Sequence, residues 1–398
     1  MKMTIRVGIG LSTEKDLQQA ARDAVSQARA SIHVQKLDLA IVFSSVEYAH
    51  PLVLSTISSL SGAIPVVGCS SLAVISNQGI FKHALAVLLL SFPEGIYFNA
   101  AAVRKVSAEG AGFAGGELGE KLSYALKNIR RDLSVIFSNG LMRDGAGFLS
   151  GIQEKLGRSF PLAGASASDN LAFKKTYQYF GEEVLTSGAC GILLGGKINF
   201  GLGVKHGWKP LGKPRYVTKA GGGTVEKIDN VPAANIYCEY LACDLKQLKK
   251  ELRRISILYP IGIYLSGEEE YLLRNILSIE DNGTLVFQGD VPENCMVRLM
   301  IGTKESCLSA TQQAIEEVKK GLFGRPCNFL LVFDSVSRYT LLGRQAPQEL
   351  EMIKEKFGRD MPIMGLYTYG EQAPLKAVNY QGKTYFHNQT LTLLAIGG

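Results

Sequence analysis

Three stretches decide the fold: LAIVFSS at 39–45, LSVIFSN at 133–139 and FLLVFDS at 329–335. Each is apolar at nearly every position and ends in Phe and two small polar residues. An unbroken short apolar run of this kind reads as a strand covered on both faces. Downstream of each lies a proline, two apolar residues and a glycine: PVVG at 65–68, PLAG at 161–164 and PIMG at 362–365. A shortened relative, YPIGI, sits at 259–263. Further apolar runs follow at 85–90, 190–196, 285–289 and 391–398. Repetition at this level means that one α/β unit was duplicated.

Working outward, the first unit reads strand (4–10), helix (12–31, with Ser12 as its cap), strand (37–44), helix (49–60) and strand (64–69). Two strands follow, and a second unit begins with a helix at 115–130. The second half echoes the first. The helix at 115–130 aligns with 305–321, Phe137 with Phe333, GILLGG with LLAIGG, and IYFNAAAV at 96 with CMVRLMIG at 295. A strand-rich insert (204–229) and a helix (232–251) open the second half. The fold class is therefore α/β and internally duplicated, with mixed β-sheets covered by helices. The halves are 1–206 and 207–398, divided at a Gly/Lys/Pro-rich stretch.

At 398 residues two domains are expected. Apolar content of 46% with 20% charged residues is globular. The longest unbroken apolar runs are too short to span a bilayer, and the N-terminus turns charged before a signal-peptide core could form. A cytoplasmic protein is expected. The net charge of +7 is dispersed, with small knots at 249–254 and 319–320 that read as solvated helix faces rather than a nucleic-acid surface. The seven cysteines form no C-x-x-C pair and read as reduced thiols.

Ligands in open α/β sheets sit outside the carboxyl ends of strands. Those ends carry Ser44, Ser45, Ser138, Asn139, Asp334 and Ser335, and the following loops carry Cys69, Ser70 and residues 165–169 and 367–371. The C-terminal candidate site gathers Asp334, Ser335, Arg338, Arg344, Tyr367, Tyr369, Glu371, His387 and Asn388. Arg344 suits a ligand carboxylate, and Tyr367, Tyr369 and Glu371 suit an amino group, so a zwitterion fits. The bland alternative pairs Arg344 with Glu371 as a structural bridge.

Five histidines occur without metal-binding spacing, so no protein-only metal site is expected. His387 or His206 alone would serve as a haem ligand. Cys69 as nucleophile, or Asp334 with Glu371, would make the chain a hydrolase of a small amide or ester, but no nucleophile–base set is complete, and an enzyme is the weaker expectation. A G-x-G-x-x-G run at 110–115 lacks the acidic residue that a dinucleotide site needs after the following strand.

VFSS with Tyr48, PVVGCSS, FSNGL and PLAGASASDN resemble the N-terminal FIST domain. YPIGI, GDVPENC, LLGRQAPQEL, MPIMGLYTYGEQ and FHNQTLTLLAIG resemble the C-terminal one. The resemblance covers roughly residues 5–398. It implies a sensory module for a small molecule such as an amino acid, with a haem-based nitric-oxide sensor as the alternative. It also implies output through a separate partner protein, such as a kinase or chemoreceptor component, since the chain holds no output module of its own.

Overall fold

The computed structural model of the protein describes residues 4–106, 110–268, 270–375 and 383–398. The first unit runs β1 (Arg6–Ser12), α1 (Leu17–Ile32), β2 (Leu39–Ser44), α2 (Pro51–Ser61), β3 (Val66–Ser70), the hairpin β4 (Val74–Ser76) and β5 (Gly79–Phe81), and β6 (Leu85–Ser91). The second repeats it as β7 (Tyr97–Val103), α3 (Ala111–Tyr124), β8 (Arg131–Ser138), α4 (Gly145–Leu156), β9 (Leu162–Ser166), the hairpin β10 (Gln178–Phe180) and β11 (Glu183–Leu185), and β12 (Ala189–Gly195).

A third unit opens with β13 (Asn199–Lys205) and is then interrupted. The inserted domain holds β14 (Lys209–Gly221), β15 (Thr224–Ile228), β16 (Val231–Pro232), α5 (Asn235–Leu241), α6 (Leu245–Lys250) and α7 (Leu252–Leu258). It continues through β17 (Ile261–Ile263), β18 (Leu272–Arg274), β19 (Ile276–Ile279), β20 (Leu285–Phe287) and β21 (Met296–Ile301). The third unit resumes with α8 (Lys304–Leu322), β22 (Phe329–Ser335), α9 (Val336–Leu342), α10 (Ala346–Phe357) and β23 (Ile363–Thr368). The hairpin β24 (Gly370–Pro374) and β25 (Thr384–His387), and then β26 (Leu391–Gly397), complete it.

The duplication thus extends to three copies, and their sheets share one plan. The Phe-ending strand pairs in parallel with the Pro-x-x-Gly strand: β2 with β3, β8 with β9, β22 with β23. On its other side it pairs antiparallel with the closing strand, β6, β12 or β26. The motif glycine is required by that parallel pair. A Cβ on Gly68, Gly164 or Gly365 would lie 1.8, 2.0 or 2.4 Å from the carbonyl oxygen of Val42, Ile136 or Val332. In each case this is the residue just before the phenylalanine.

Each sheet is completed by a hairpin from another unit. The β4–β5 hairpin joins β23 of the third unit, β10–β11 joins β3 of the first, and β24–β25 joins β9 of the second. The exchange is cyclic, so the three sheets enclose one core. Phe43, Phe137 and Phe333 meet at its centre, with ring centroids 5.4, 6.5 and 6.2 Å apart in edge-to-face geometry. The outer faces are covered by α1 and α2, by α3 and α4, and by α8 and α10. The inserted domain has its own core around Val217, Tyr237, Leu248, Ile261 and Leu285.

Four local expectations change. Asp16, not Ser12, caps α1, accepting from Gln19 N at 2.8 Å, while Ser12 ends β1. The single helix expected over 232–251 is broken: Ala242 takes a left-handed φ of 50°, and Asp244 caps a new helix. CMVRLMIG forms β21 of the inserted domain, paired with β14 and β17, whereas the counterpart of β7 is β13. YPIGI and LVFQG likewise supply β17 and β20 of that domain. A short apolar run does not encode which strand it pairs with. All seven cysteines are free thiols. Among the described residues no helix is long and apolar enough to cross a membrane.

The three rings at the axis are fully buried. Replacing Phe43, Phe137 or Phe333 by Ala should each cost about 3–5 kcal/mol. The double variant Phe43→Ala/Phe137→Ala should cost less than the sum, because the rings touch. Urea unfolding measures both, and near-neutral single variants would show that the axis is not a keystone.

Candidate functional site

The carboxyl ends of the strands of the second and third units face a cleft of about 670 Å³. Gly140 to Arg143, after β8, form one wall. Leu171 and Phe173, after β9, and Tyr369, between β23 and β24, form the next. Val336, Ser337 and Thr340 of α9 follow β22. The inserted domain closes the fourth side with Lys249, Lys250, Leu252, Arg253, Ser256 and Ile257, together with residues 275–277, Phe287 and Gln288.

The aromatic wall is built on one carboxylate. Asp169 accepts backbone N–H groups from Ala172 (2.9 Å), Phe173 (3.1 Å), Lys174 (2.9 Å) and Lys175 (3.3 Å), and the hydroxyl of Tyr369. Burial works against its ionisation, but these donors prevail and hold the carboxyl below its usual range. The loop so gathered puts Leu171 and Phe173 at φ of 65° and 52°. Phe173 lies parallel to Tyr369, centroids 4.3 Å apart and planes 11° apart.

The floor is amide-rich. Gln288 Nε2 donates to Tyr369 O at 2.8 Å, and Asn275 N donates to Asn388 Oδ1 at 3.2 Å. Gln389 Nε2 donates to Ser256 O at 2.9 Å and also to Asn275 Oδ1. The rim is cationic. Lys249 pairs with Asp281 at 2.5 Å, whereas among the described residues Arg143, Lys250 and Arg253 enter no ion pair. No carboxylate among the described residues lines the cleft.

The expected site residues divide among several places. Tyr369 lines the cleft, Asn388 lies beneath its floor, and Ser335 caps α9, accepting from Ser337 N at 3.2 Å. Asp334 is buried behind them. Arg338 donates to it at 2.9 Å and also to Glu349, Thr311 Oγ1 and the carbonyls of His206 and Cys307. Burial, then Glu349, pushes the Asp334 carboxyl well up. Tyr367 is buried with its ring 4.5 Å from that of Tyr339. Arg344 is exposed in the turn between α9 and α10, outside the cleft lining. Its expected structural alternative, a bridge to Glu371, does not form.

Glu371 is fully buried, and three groups donate to it: Thr368 Oγ1 at 2.5 Å, Thr390 N at 3.0 Å and Thr390 Oγ1 at 2.7 Å. Burial outweighs these bonds and raises its carboxyl to about 7. His387 is buried beside Ala373 O at 2.9 Å, and burial lowers its imidazole to about 3. His206 Nε2 lies 3.2 Å from Glu270. Neither histidine lines the cleft. Ser44 bonds Tyr179 OH at 2.7 Å and Ser70 bonds Ser168 O at 2.9 Å. Cys69 is fully buried, and desolvation pushes its thiol well up, away from nucleophile chemistry. Among the described residues no group of His, Cys, Asp and Glu could hold a metal.

The basic knot at 249–254 is the solvated helix face its sequence suggests, with Lys250, Arg253 and Arg254 exposed, but its place at the rim of the cleft was not foreseen. Lys249, Lys250 and Arg253 face the cleft because the inserted domain packs over the strand ends. Phe173 carried no periodic signal at all.

Residues 38–231 match the FIST N domain and residues 233–374 the FIST C domain. The chain belongs to the FIST family, whose domains are sensory modules. It is 24% identical to an uncharacterized protein of Mycobacterium tuberculosis over 94% of this chain and 96% of that one. It is 28% identical to an uncharacterized protein of Methanocaldococcus jannaschii over 64% of this chain, a match that spans about half (51%) of that relative. Among solved structures, a cyanuric acid hydrolase from A. caulinodans aligns over 98% of both chains with a TM-score of 0.35 and 9% identity. A chorismatase aligns over 100% of both with a TM-score of 0.35 and 9% identity.

The buried Glu371 sets a pH signature. Its unfolded carboxyl has the ordinary value of 4.5, and its folded one lies at about 7. Below the lower value both states hold the proton. Between the two values the unfolded chain releases it and the folded protein keeps it, so stability falls as pH rises; above about 7 the loss is complete. The effect is on the order of 3 kcal/mol. Glu371→Gln should flatten this slope between pH 5 and 7 in urea-unfolding series (~5 to 7, the window set by linkage). An unchanged slope would place the titration elsewhere.

Proposed function

We propose that the protein is a small-molecule sensor whose ligand occupies the cleft between the strand ends and the inserted domain. The observation that carries this reading is the make-up of the walls. One concave site is lined by side chains from two repeat units and from the insertion, with apolar flanks and a few convergent polar groups. A ligand that touches all three bodies favours the arrangement in which they are apposed, and that is the requirement for a sensor.

An amino-acid ligand expected from residues 334–388 would need Glu371 to meet its ammonium group. That carboxyl is already engaged by Thr368 and Thr390 behind the cleft. The amino-acid reading therefore rests on Tyr369 and the floor amides alone. A separate protein, such as a kinase or chemoreceptor component, would take the output, and a cytoplasmic setting suits seven free thiols.

Leu277 lines the cleft and is 47% exposed, so a larger side chain there fills the site without disturbing a core. Leu277→Trp should abolish retention of a small molecule that native mass spectrometry finds on freshly purified wild type. Phe113→Ala, at an 82% exposed position on α3, should not. A ligand retained equally by all three proteins would place the sensory site elsewhere.

A further inference from the structure

We infer that the cleft recognises an organic anion of the arylalkanoate class, whose flat ring extends the Phe173–Tyr369 stack and whose carboxylate faces Arg253, Lys250 and Arg143. The inference rests on the cleft being the ligand site, and adds the chemistry of what it holds.

The stack supplies the first argument. Phe173 covers Tyr369 on one face, yet remains 47% exposed. A half-exposed phenylalanine recovers only part of the free energy of burial. Its backbone is nevertheless held in the left-handed region, together with that of Leu171, where side chains with a Cβ are disfavoured. The chain is kept there by four backbone hydrogen bonds into Asp169, which is itself 3% exposed and also bonded to Tyr369 OH. Strain maintained by a dedicated carboxylate, presenting an open aromatic face to a cleft, is the mark of a positioned binding element. A planar π-system is what continues such a stack.

Charge supplies the second. The rim has four cations, of which Lys249 is offset by Asp281 and the other three are not. With no carboxylate among the described lining residues, an ammonium group meets only like charge. A carboxylate meets cations at the mouth and floor amides below. The apolar flanks, with Leu141, Met142 and Leu277, suit a hydrocarbon ring better than a sugar.

Calorimetric titration of the full chain with 3-phenylpropionate, 3-phenylpropylamine and phenylalanine separates the charges on one ring. The acid should bind at least about tenfold more tightly than the amine or the zwitterion. Phe173→Leu should weaken the acid about fivefold or more. Lys250→Gln/Arg253→Gln should weaken it about tenfold or more. Lys319→Gln, on α8 outside the cleft, should leave it unchanged. Circular dichroism confirms that each variant is folded. Equal affinity for acid and zwitterion, or wild-type affinity in Phe173→Leu, overturns the inference. Suppose phenylpropionate fails to bind, while another small molecule is held by wild type and lost in Leu277→Trp. The ligand class then falls and the sensory cleft stands. If Leu277→Trp loses no ligand of any kind, the cleft falls as well.

Discussion

A hairpin lent by a neighbouring unit completes each of the three sheets, and the rest of the structure depends on that exchange. Without it β3, β9 and β23 would be edge strands with unpaired backbone groups next to an apolar core. The joints are polar and tight. Ser71 Oγ and Ser168 Oγ both donate to Tyr367 O, at 3.0 and 2.5 Å, tying the first and second units to the third. Small hydroxyl residues at strand ends, which suggest anion binding when seen in sequence, serve here as the pins of the exchange. The same joint makes the site. Between β23 and β24 the chain leaves the sheet of the third unit for that of the second, and Tyr369 stands at the crossing.

Buried charge fixes the third unit around this joint. Arg338 is fully buried, and each of its three nitrogens donates: Nε to Asp334, Nη1 to His206 O, and Nη2 among Glu349, Thr311 Oγ1 and Cys307 O. A charge so buried is tolerable only with such a complement, and removing one partner would leave the others uncompensated. This explains why Asp334 does not face a ligand although it ends a strand. It is spent on orienting Arg338, which links β22 and α9 to α8 and α10. The serine that follows, Ser335, turns the chain into α9 and so brings Ser337 and Thr340 to the cleft.

The strands and their duplication were legible in the sequence because both faces of each are covered, which leaves unbroken apolar runs. The Pro-x-x-Gly glycine was legible for a local reason as well, the carbonyl beneath it. The cyclic exchange was not. It joins Asn77 to Met361 and Ile363, nearly three hundred residues apart, through hydrogen bonds that any short polar side chain could make. Only the start of the insertion was legible, as the strand-rich stretch at 204–229; its later strands carry the same patterns as those of the units, so YPIGI and LVFQG passed for degenerate repeats. Of the site, Tyr369 and the strand ends could be placed by the rule for α/β sheets. Its cations could not, since Lys250 and Arg253 are exposed on short helices and only the body across from them makes them a rim.

The position of the cleft also constrains how binding could be reported. Lys249 and Lys250 belong to α6, and Leu252, Arg253, Ser256 and Ile257 to α7, both in the inserted domain. Gln389, at the base of β26, holds Ser256 and Asn275 from below. The insertion is tied to the three-unit core by these floor amides, by Arg274 donating to Phe386 O at 2.9 Å and by Lys205 paired with Glu270 at 2.8 Å. On the proposed reading, a ligand that bridged the aromatic wall and the cationic helices would favour the arrangement in which the two are apposed. The shift it could impose is bounded by its difference in affinity between alternative arrangements. Ligand groups that reached only the wall of Phe173 and Tyr369 would contribute affinity without signal. Those that reached Lys250 and Arg253 would contribute both, so on that reading the cationic helices, rather than the aromatic stack, are where sensing and simple binding would part.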